Sequence, residues 1–251
     1  MERLDKILAH EGFGTRKDVK KIIRTGVVTI NGEICQSANT HIDEKKDTIS
    51  VDGKDIQLHS GIYLMMNKPQ NVVSSSKDGL HETVFDLLEE RYYNLFLSGK
   101  LHLVGRLDID TEGLILLTDD GVFTHNMISP KKHISKTYYV ELRDSVTKED
   151  GEDGLALEYV NKFSAGLSVP QDGIEESFEA LPAQLNWINN NSCYLTIYEG
   201  KYHQVKRMFA AVGNKVTFLK RTAIGHLELD KSLLPGDVRE ITSDELFLLE
   251  K

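Results

Sequence analysis

The chain has 251 residues, 40% hydrophobic and 27% charged, with a net charge of −9. Those values fit a water-soluble folded protein with room for one large domain or for a small one plus a medium one. They exclude a membrane-spanning helix, because no apolar run approaches roughly eighteen residues. Cys35 and Cys193, the only cysteines, are too few for a disulfide framework or a cysteine zinc site. The opening Met-Glu-Arg-Leu-Asp lacks a signal peptide's apolar stretch, so a cytoplasmic protein is expected.

The acidic total conceals an uneven distribution. Residues 1–58 carry ten Lys/Arg against ten Asp/Glu, so this stretch is neutral. Residues 144–190 alone contribute −8, while basic residues gather at 16–24, 131–136 and 201–221. With screening over about 8–10 Å, such local patches decide which partners are attracted.

In chain order, Leu4, Ile7 and Leu8 stand at helical spacing. Thr15 followed by Asp18 reads as a capping box with Asp in place of Glu. The helix it starts has Val19, Ile22 and Ile23 on one face and Arg16, Lys17, Lys20, Lys21 and Arg24 around the rest, so residues 16–24 are +4. Val27–Ile30, an Asn31-Gly32 turn and a strand near 48–51 follow. This order, opened by Arg3-Leu4-Asp5-Lys6, resembles the S4 RNA-binding domain over about residues 1–48. The resemblance implies that the basic helix, with Arg3, lies along structured RNA, where phosphate contacts supply affinity and register. The domain is expected to occupy 1–58, with 54–61 linker-like in composition and the linker proper set at 59–61.

A larger domain is expected over 62–251. It opens with the buried strand Ile62–Lys68, stopped by Pro69. Further strands are predicted at 101–104, 113–118, 137–142, 193–198 and 215–219, and helices at about 82–92, 121–127 and 203–212. The elements lack a βαβ rhythm and a glycine-rich phosphate loop, which points to an α+β fold with a largely antiparallel mixed sheet.

The most informative stretch is Gly105-Arg106-Leu107-Asp108-Ile109-Asp110-Thr111-Glu112-Gly113-Leu114. Its acidic turn runs into four apolar residues, 114–117, that only burial on both faces can satisfy. It closely resembles the catalytic motif of pseudouridine synthases, in particular the RsuA-like branch acting on ribosomal RNA. Asn67-Lys68-Pro69, Lys136-Thr137-Tyr138 and His203-Gln204-Val205-Lys206-Arg207 extend the likeness over nearly the whole chain. It implies that Asp108 is the essential carboxylate, a nucleophile or a base at the sugar; the residues leave both routes open. Arg106 is implied to hold RNA with the target base flipped out, although Asp110 or Glu112 offers it an ordinary partner. Tyr138 is implied to lie against the base, with Tyr139 on the opposite face.

Val205, Met208, Phe209 and Val212 make an apolar helical stripe that Gly213 closes. Lys206 is implied to be the cation beside Asp108, where sister families use Arg, and Arg207 to share that role or bind RNA. His203 and Gln204 read as structural. Asp108 and Asp110 also form an Asp-x-Asp pair, but with no third ligand it makes a poor cation site. No metal or cofactor is expected, because turning a uridine into pseudouridine is an isomerisation. The likeness is greatest to the small-subunit branch, implying a monomer acting on uridine 516 of 16S rRNA. A 23S uridine and a non-catalytic ribosome-assembly factor are the alternatives.

Overall fold

The computed structural model describes residues 2–11, 13–43, 46–56, 61–146 and 154–250. Packing separates the chain into residues 1–60 and 61–251. Of the expected linker, 59 and 60 lie outside the described residues, as does 147–153 within the acidic stretch.

The first unit begins with β1 (Glu2–Arg3), α1 (Leu4–His10) and α2 (Arg16–Arg24). The α2 N-cap is Thr15, whose hydroxyl accepts from the Asp18 N–H at 3.3 Å. The Asp18 carboxylate accepts from that same hydroxyl at 2.6 Å. Next come β2 (Val28–Ile30), β3 (Glu33–Ile34), β4 (His41–Ile42), β5 (Ile49–Val51) and β6 (Lys54–Ile56). They form the sheet β3-β2-β5-β6 and a separate β1–β4 pair. Asn31 and Gly32 both adopt positive φ and join Ile30 to its partner Glu33, a two-residue hairpin of the type their identities demand. Asp52 and Gly53 do the same between Val51 and Lys54. Residues 54–56, linker-like in composition, are therefore a paired strand. Leu4, Leu8, Val19, Ile23, Val28, Ile42 and Ile49 make this unit's core.

The strands of the second unit are β7 (Tyr63–Lys68), β8 (His102–Val104), β9 (Glu112–Thr118), β10 (Lys136–Leu142), β11 (Leu167–Val169), β12 (Phe178–Ala180), β13 (Gln184–Trp187), β14 (Ser192–Ile197), β15 (Val216–Ile224), β16 (Leu227–Glu228) and β17 (Val238–Glu240). Its helices are α3 (Glu90–Leu97), α4 (Gly121–Ile128), α5 (Leu155–Ala165), α6 (Gln204–Ala211) and α7 (Ser243–Glu250). Nine strands form one sheet in the order β13-β14-β10-β15-β9-β7-β17, with β8 on β9 and β16 on β15. The β9–β15 pair is parallel and the other pairs are antiparallel. The fold is thus mixed α+β with a largely antiparallel sheet. Alternation explains the apolar run of β9: Ile115 and Leu117 enter one core cluster, Leu114 and Leu116 the other.

The helix predicted at 82–92 lies instead at 90–97. Val84 and Phe85 are buried, but Val73 accepts from Val84 N–H and donates to Glu82, drawing this backbone into a bridge. Side chains at helical spacing here follow an extended, turned segment. α6 ends as expected: Gly213 takes φ +87°, its N–H reaches Ala210 and that of Asn214 reaches Phe209, the two bonds of a Schellman cap.

Candidate active site

Asp108 sits in the loop between β8 and β9, whose backbone is held from several directions. The Ser74 hydroxyl accepts from Leu107 N–H at 3.1 Å and donates to Leu107 C=O at 2.8 Å. Asn71 N–H donates to Ile109 C=O. Lys68, fully buried at the end of β7, donates from Nζ to the carbonyls of Pro69, Ile109 and Thr111 at 3.0, 3.3 and 2.9 Å. Burial pulls the Lys68 ammonium down to about 8, against the attraction of Asp110 and Asp108. Three carbonyls around one cation fix the loop from beneath. Gly113 closes it: at φ +101° it lets β15 approach so near that a Cβ would lie 2.2 Å from the Arg221 carbonyl oxygen.

The first turn of α6 brings Lys206 to this loop. Its Nζ donates to Asp108 Oδ2 at 3.0 Å and to Asp110 Oδ1 at 2.5 Å. Burial lowers the Lys206 pKa, but the bonds to Asp110 and Asp108 outweigh it and the net direction is upward. Asp110 moves the other way: burial raises it, and Lys206 more than offsets this. The Asp-x-Asp pair is therefore bridged by an ammonium group. Among the described residues no cluster of three or more His, Cys, Asp or Glu has the arrangement of a metal site.

His203, at φ +49° ahead of α6, has Nε2 3.7 Å from Asp108 Oδ1, and its ring stacks on exposed Tyr202 at 3.8 Å between centroids. Gln204 is structural: it bonds Glu199 Oε1 and Lys201 N–H, tying the helix start to the preceding loop.

Asp108, Arg106, Tyr138 and His203 line one cavity of about 210 Å³. Arg106 is exposed and, among the described residues, takes part in no ion pair; Asp110 is held by Lys206. Tyr138 is buried on β10, and Tyr139 faces the other side of the sheet beside Tyr194 and Phe218. Arg207 corrects the expectation placed on it. It is buried, donates to the carbonyls of Pro170 and Glu176, and lies over the Phe178 ring, so neither Asp108 nor RNA can use its guanidinium. Lys206 and Arg207, adjacent on a helix, point about 100° apart, and only the first faces the loop.

In the first unit, Arg3 and Arg16 both bond the fully buried Asp5 carboxylate, with Lys20 Nζ 3.8 Å away. Burial raises the Asp5 pKa, and the arginine bonds more than reverse that. Lys17 and Arg24 are exposed, and among the described residues neither is in an ion pair.

Sequence reasoning missed Lys68, Ser74, Lys136 and Arg221 as site residues. Lys68 carried a signal, a charge ending an otherwise apolar strand. Lys136 did too, as the first residue of the Lys136-Thr137-Tyr138 motif and, by strand alternation, on the face of Tyr138; Ser74 and Arg221 carried none.

The profile of the RNA pseudouridylate synthase family matches residues 62–211, and that of the S4 domain matches residues 2–49. The chain belongs to the RNA pseudouridylate synthase family. It is 42% identical over 255 residues to the Uncharacterized RNA pseudouridine synthase YtzG of Bacillus subtilis (strain 168), covering 99% of this chain and 98% of that one. It is 40% identical over 245 residues to Ribosomal small subunit pseudouridine synthase A of Escherichia coli (strain K12), covering 97% and 98%. A solved pseudouridylate synthase superposes with a TM-score of 0.65 at 40% identity, covering 99% of this chain and 100% of that one. This synthase is thus an isomerase with an S4 domain at its N-terminal end. Among the described residues no helix is long and apolar enough to cross a membrane.

Proposed function

We propose that this synthase isomerises one uridine of small-subunit ribosomal RNA to pseudouridine, acting as a monomer in the cytoplasm without a cofactor. The substrate reading rests on the full-length relatives named Ribosomal small subunit pseudouridine synthase A, at about 40% identity. The finer assignment, uridine 516 of 16S rRNA, rests on the likeness of the Asp108 and Lys206 motifs to that branch. One chain carries both the RNA-binding module and the whole charged site, which supports a monomer.

The observation that carries the chemistry is the Lys206–Asp108 pair beside a cavity that Tyr138 lines. The base must leave N1–C1′ attachment, turn, and join C5 to C1′. Asp108, paired with Lys206, acts at the ribose; Tyr138 lies against the base; Arg106 holds the RNA around the vacated stack. Exposed Lys17, Lys20, Lys21 and Arg24 grip phosphates, with Arg3 and Arg16 framing that helix through Asp5.

The test maps pseudouridine chemically in rRNA from cells with the gene intact, deleted, or carrying Asp108→Asn. One 16S site should vanish in both altered strains, while the purified variant still binds the RNA. A lost 23S site instead would move the substrate, and an active Asp108→Asn enzyme would overturn the site.

A further inference from the structure

The sheet wall of the cavity carries two cations that the charged site above leaves unused. Residues opposite one another in antiparallel strands share a face, and Tyr138 pairs with Arg221. Lys136, two positions before Tyr138, is on that face as well. Between Thr137↔Ala223 and Tyr138↔Arg221, Thr222 is an extra residue, a β-bulge. The bulge keeps both Arg221 and Ile224 turned to the cavity although they are three apart. Lys136, Tyr138, Leu219, Arg221 and Ile224 accordingly all line it.

Neither cation is neutralised. Among the described residues no carboxylate is within ion-pair distance of Lys136 or Arg221. Lys136 Nζ donates to Ile134 C=O at 2.7 Å, and an ammonium has three donors. Arg221 is 4% exposed; its Nε donates to Leu114 C=O at 2.7 Å, and its Nη2 is buried without a partner. Two unpaired charges of one sign lining the same cavity, one buried and one half-buried, are costly to keep. A ligand with acceptor oxygens removes that cost.

We propose that Lys136 and Arg221 bind the carbonyl oxygens of the flipped uracil and stabilise the negative charge the base acquires when its glycosidic bond breaks. This rests on the family activity and on the substrate proposed above. Cleavage of N1–C1′ leaves the bonding pair on the base, spread over N1, O2 and O4. The deficit at C1′ is met on the ribose side, by a C1′–O bond to Asp108 or by its removal of the C2′ proton. When C5 joins C1′, the C1′–O bond to Asp108 breaks or, on the other route, Asp108 returns the proton to C2′; the C5 proton then leaves and N1 takes one up, so nothing is oxidised or reduced. The cavity, about 210 Å³, has room for one pyrimidine base. Leu219, Ile224 and Ile197 are apolar walls for its ring.

Burial first, then the like charge of Arg221, holds Lys136 down to about 8. The other ionisable groups around the cavity are Asp108 and Arg106 from the β8–β9 loop, Tyr198, Glu199 and Lys201 after β14, His203 ahead of α6, and Tyr138 on the same strand.

The test is single-turnover pseudouridine formation by the full chain on a small-subunit rRNA transcript, for wild type, Lys136→Met and Lys136→Arg, with RNA affinity and thermal unfolding measured alongside. Wild-type inactivity on this RNA would count against the substrate reading and not against this one. With active wild type, Lys136→Met should bind RNA normally and lose about 10²–10³ in rate, the effect of removing one donor to a developing anion. Lys136→Arg should recover most of it. In kcat/KM, which reports free-enzyme groups, wild type should fall above pH 8 and Lys136→Arg should hold to higher pH, since guanidinium stays charged. The proposal is overturned by a wild-type rate in Lys136→Met, by a defect confined to RNA affinity and its salt dependence (the mark of phosphate binding), or by an unmoved alkaline limb in Lys136→Arg.

Discussion

Lys206 shows why an ammonium suits this site. Its Nζ reaches Asp108 and Asp110 at once, at 3.0 and 2.5 Å. A point charge with three donors can sit between two carboxylates, whereas an arginine fork is built to grip one of them. Truncating it leaves the two carboxylates of the β8–β9 loop without the cation that bridges them. Lys206→Ala should therefore slow isomerisation by about 10²-fold or more, the scale of losing one electrostatic stabiliser in such a site. Lys206→Arg should regain part of that, because charge persists while the bridge to Asp110 is lost. Single-turnover rates at saturating RNA check both; an active Lys206→Ala enzyme would remove the residue from the chemistry. Asp108, Tyr138 and Lys206 were legible because each stands in a motif whose local pattern dictates its direction: a turn, an alternating strand, an amphipathic helix. Arg207 was not, since its guanidinium goes to carbonyls at 170 and 176 that only the tertiary fold brings near. Arg221 was hidden for a similar reason: the bulge at Thr222 that turns it to the cavity depends on how β15 pairs with β10.

Among elements, α2 carries two kinds of basic residue that composition alone cannot separate. Arg16 is part of the fold, bonding Asp5, while Lys17 and Arg24 face solvent. Replacing Lys17 and Arg24 by Ala should leave stability nearly unchanged. The log–log salt dependence of RNA binding should become shallower by about 0.7–0.9 for each phosphate that the variant no longer neutralises. Arg16→Ala should instead cost about 1–2 kcal/mol of stability, because a buried carboxylate loses a charged donor. Urea unfolding and RNA titration at several salt concentrations distinguish them; an unchanged slope in the first variant would mean that this face does not meet RNA. The sequence showed the helix, its cap and its charge. It did not show that Asp5, one residue into α1, claims two of the arginines. Elsewhere the same limit applies. Residues 54–56 read as polar linker because strand pairing across an Asp-Gly turn, and not hydrophobicity, makes them β6. Residues 82–88 have helical spacing but bridge to Val73.

For the molecule as a whole, the net charge of −9 says little about stability, which depends on the few groups whose proton affinity folding changes. Lowest in the alkaline range are Lys68, buried, and Lys136, half-buried, both held near 8 by burial. Their unfolded values are near 10.5, so between pH 8 and 10.5 the unfolded chain binds more protons than the folded one, and unfolding free energy rises with pH. Lys206 does not oppose this. Its value is raised, so its contribution is fully present below 10.5 and lost only above. Cys193, pushed up to about 12 by burial, acts in the opposite sense, but only once the unfolded thiol ionises near 9. Carboxylates with lowered values, Asp5 and Glu245 among them, change only in acid. The interval from about pH 8 to 9 therefore belongs to the two lysines. Each should add up to about 1 kcal/mol of stability across it. Urea midpoints measured through this interval should climb for wild type and climb about half as steeply for Lys136→Met, which keeps only Lys68. A flat or falling wild-type curve would show that water reaches both ammonium groups in the folded protein. Lys68 would then hold the Asp108 loop as a hydrated charge and not as a buried one.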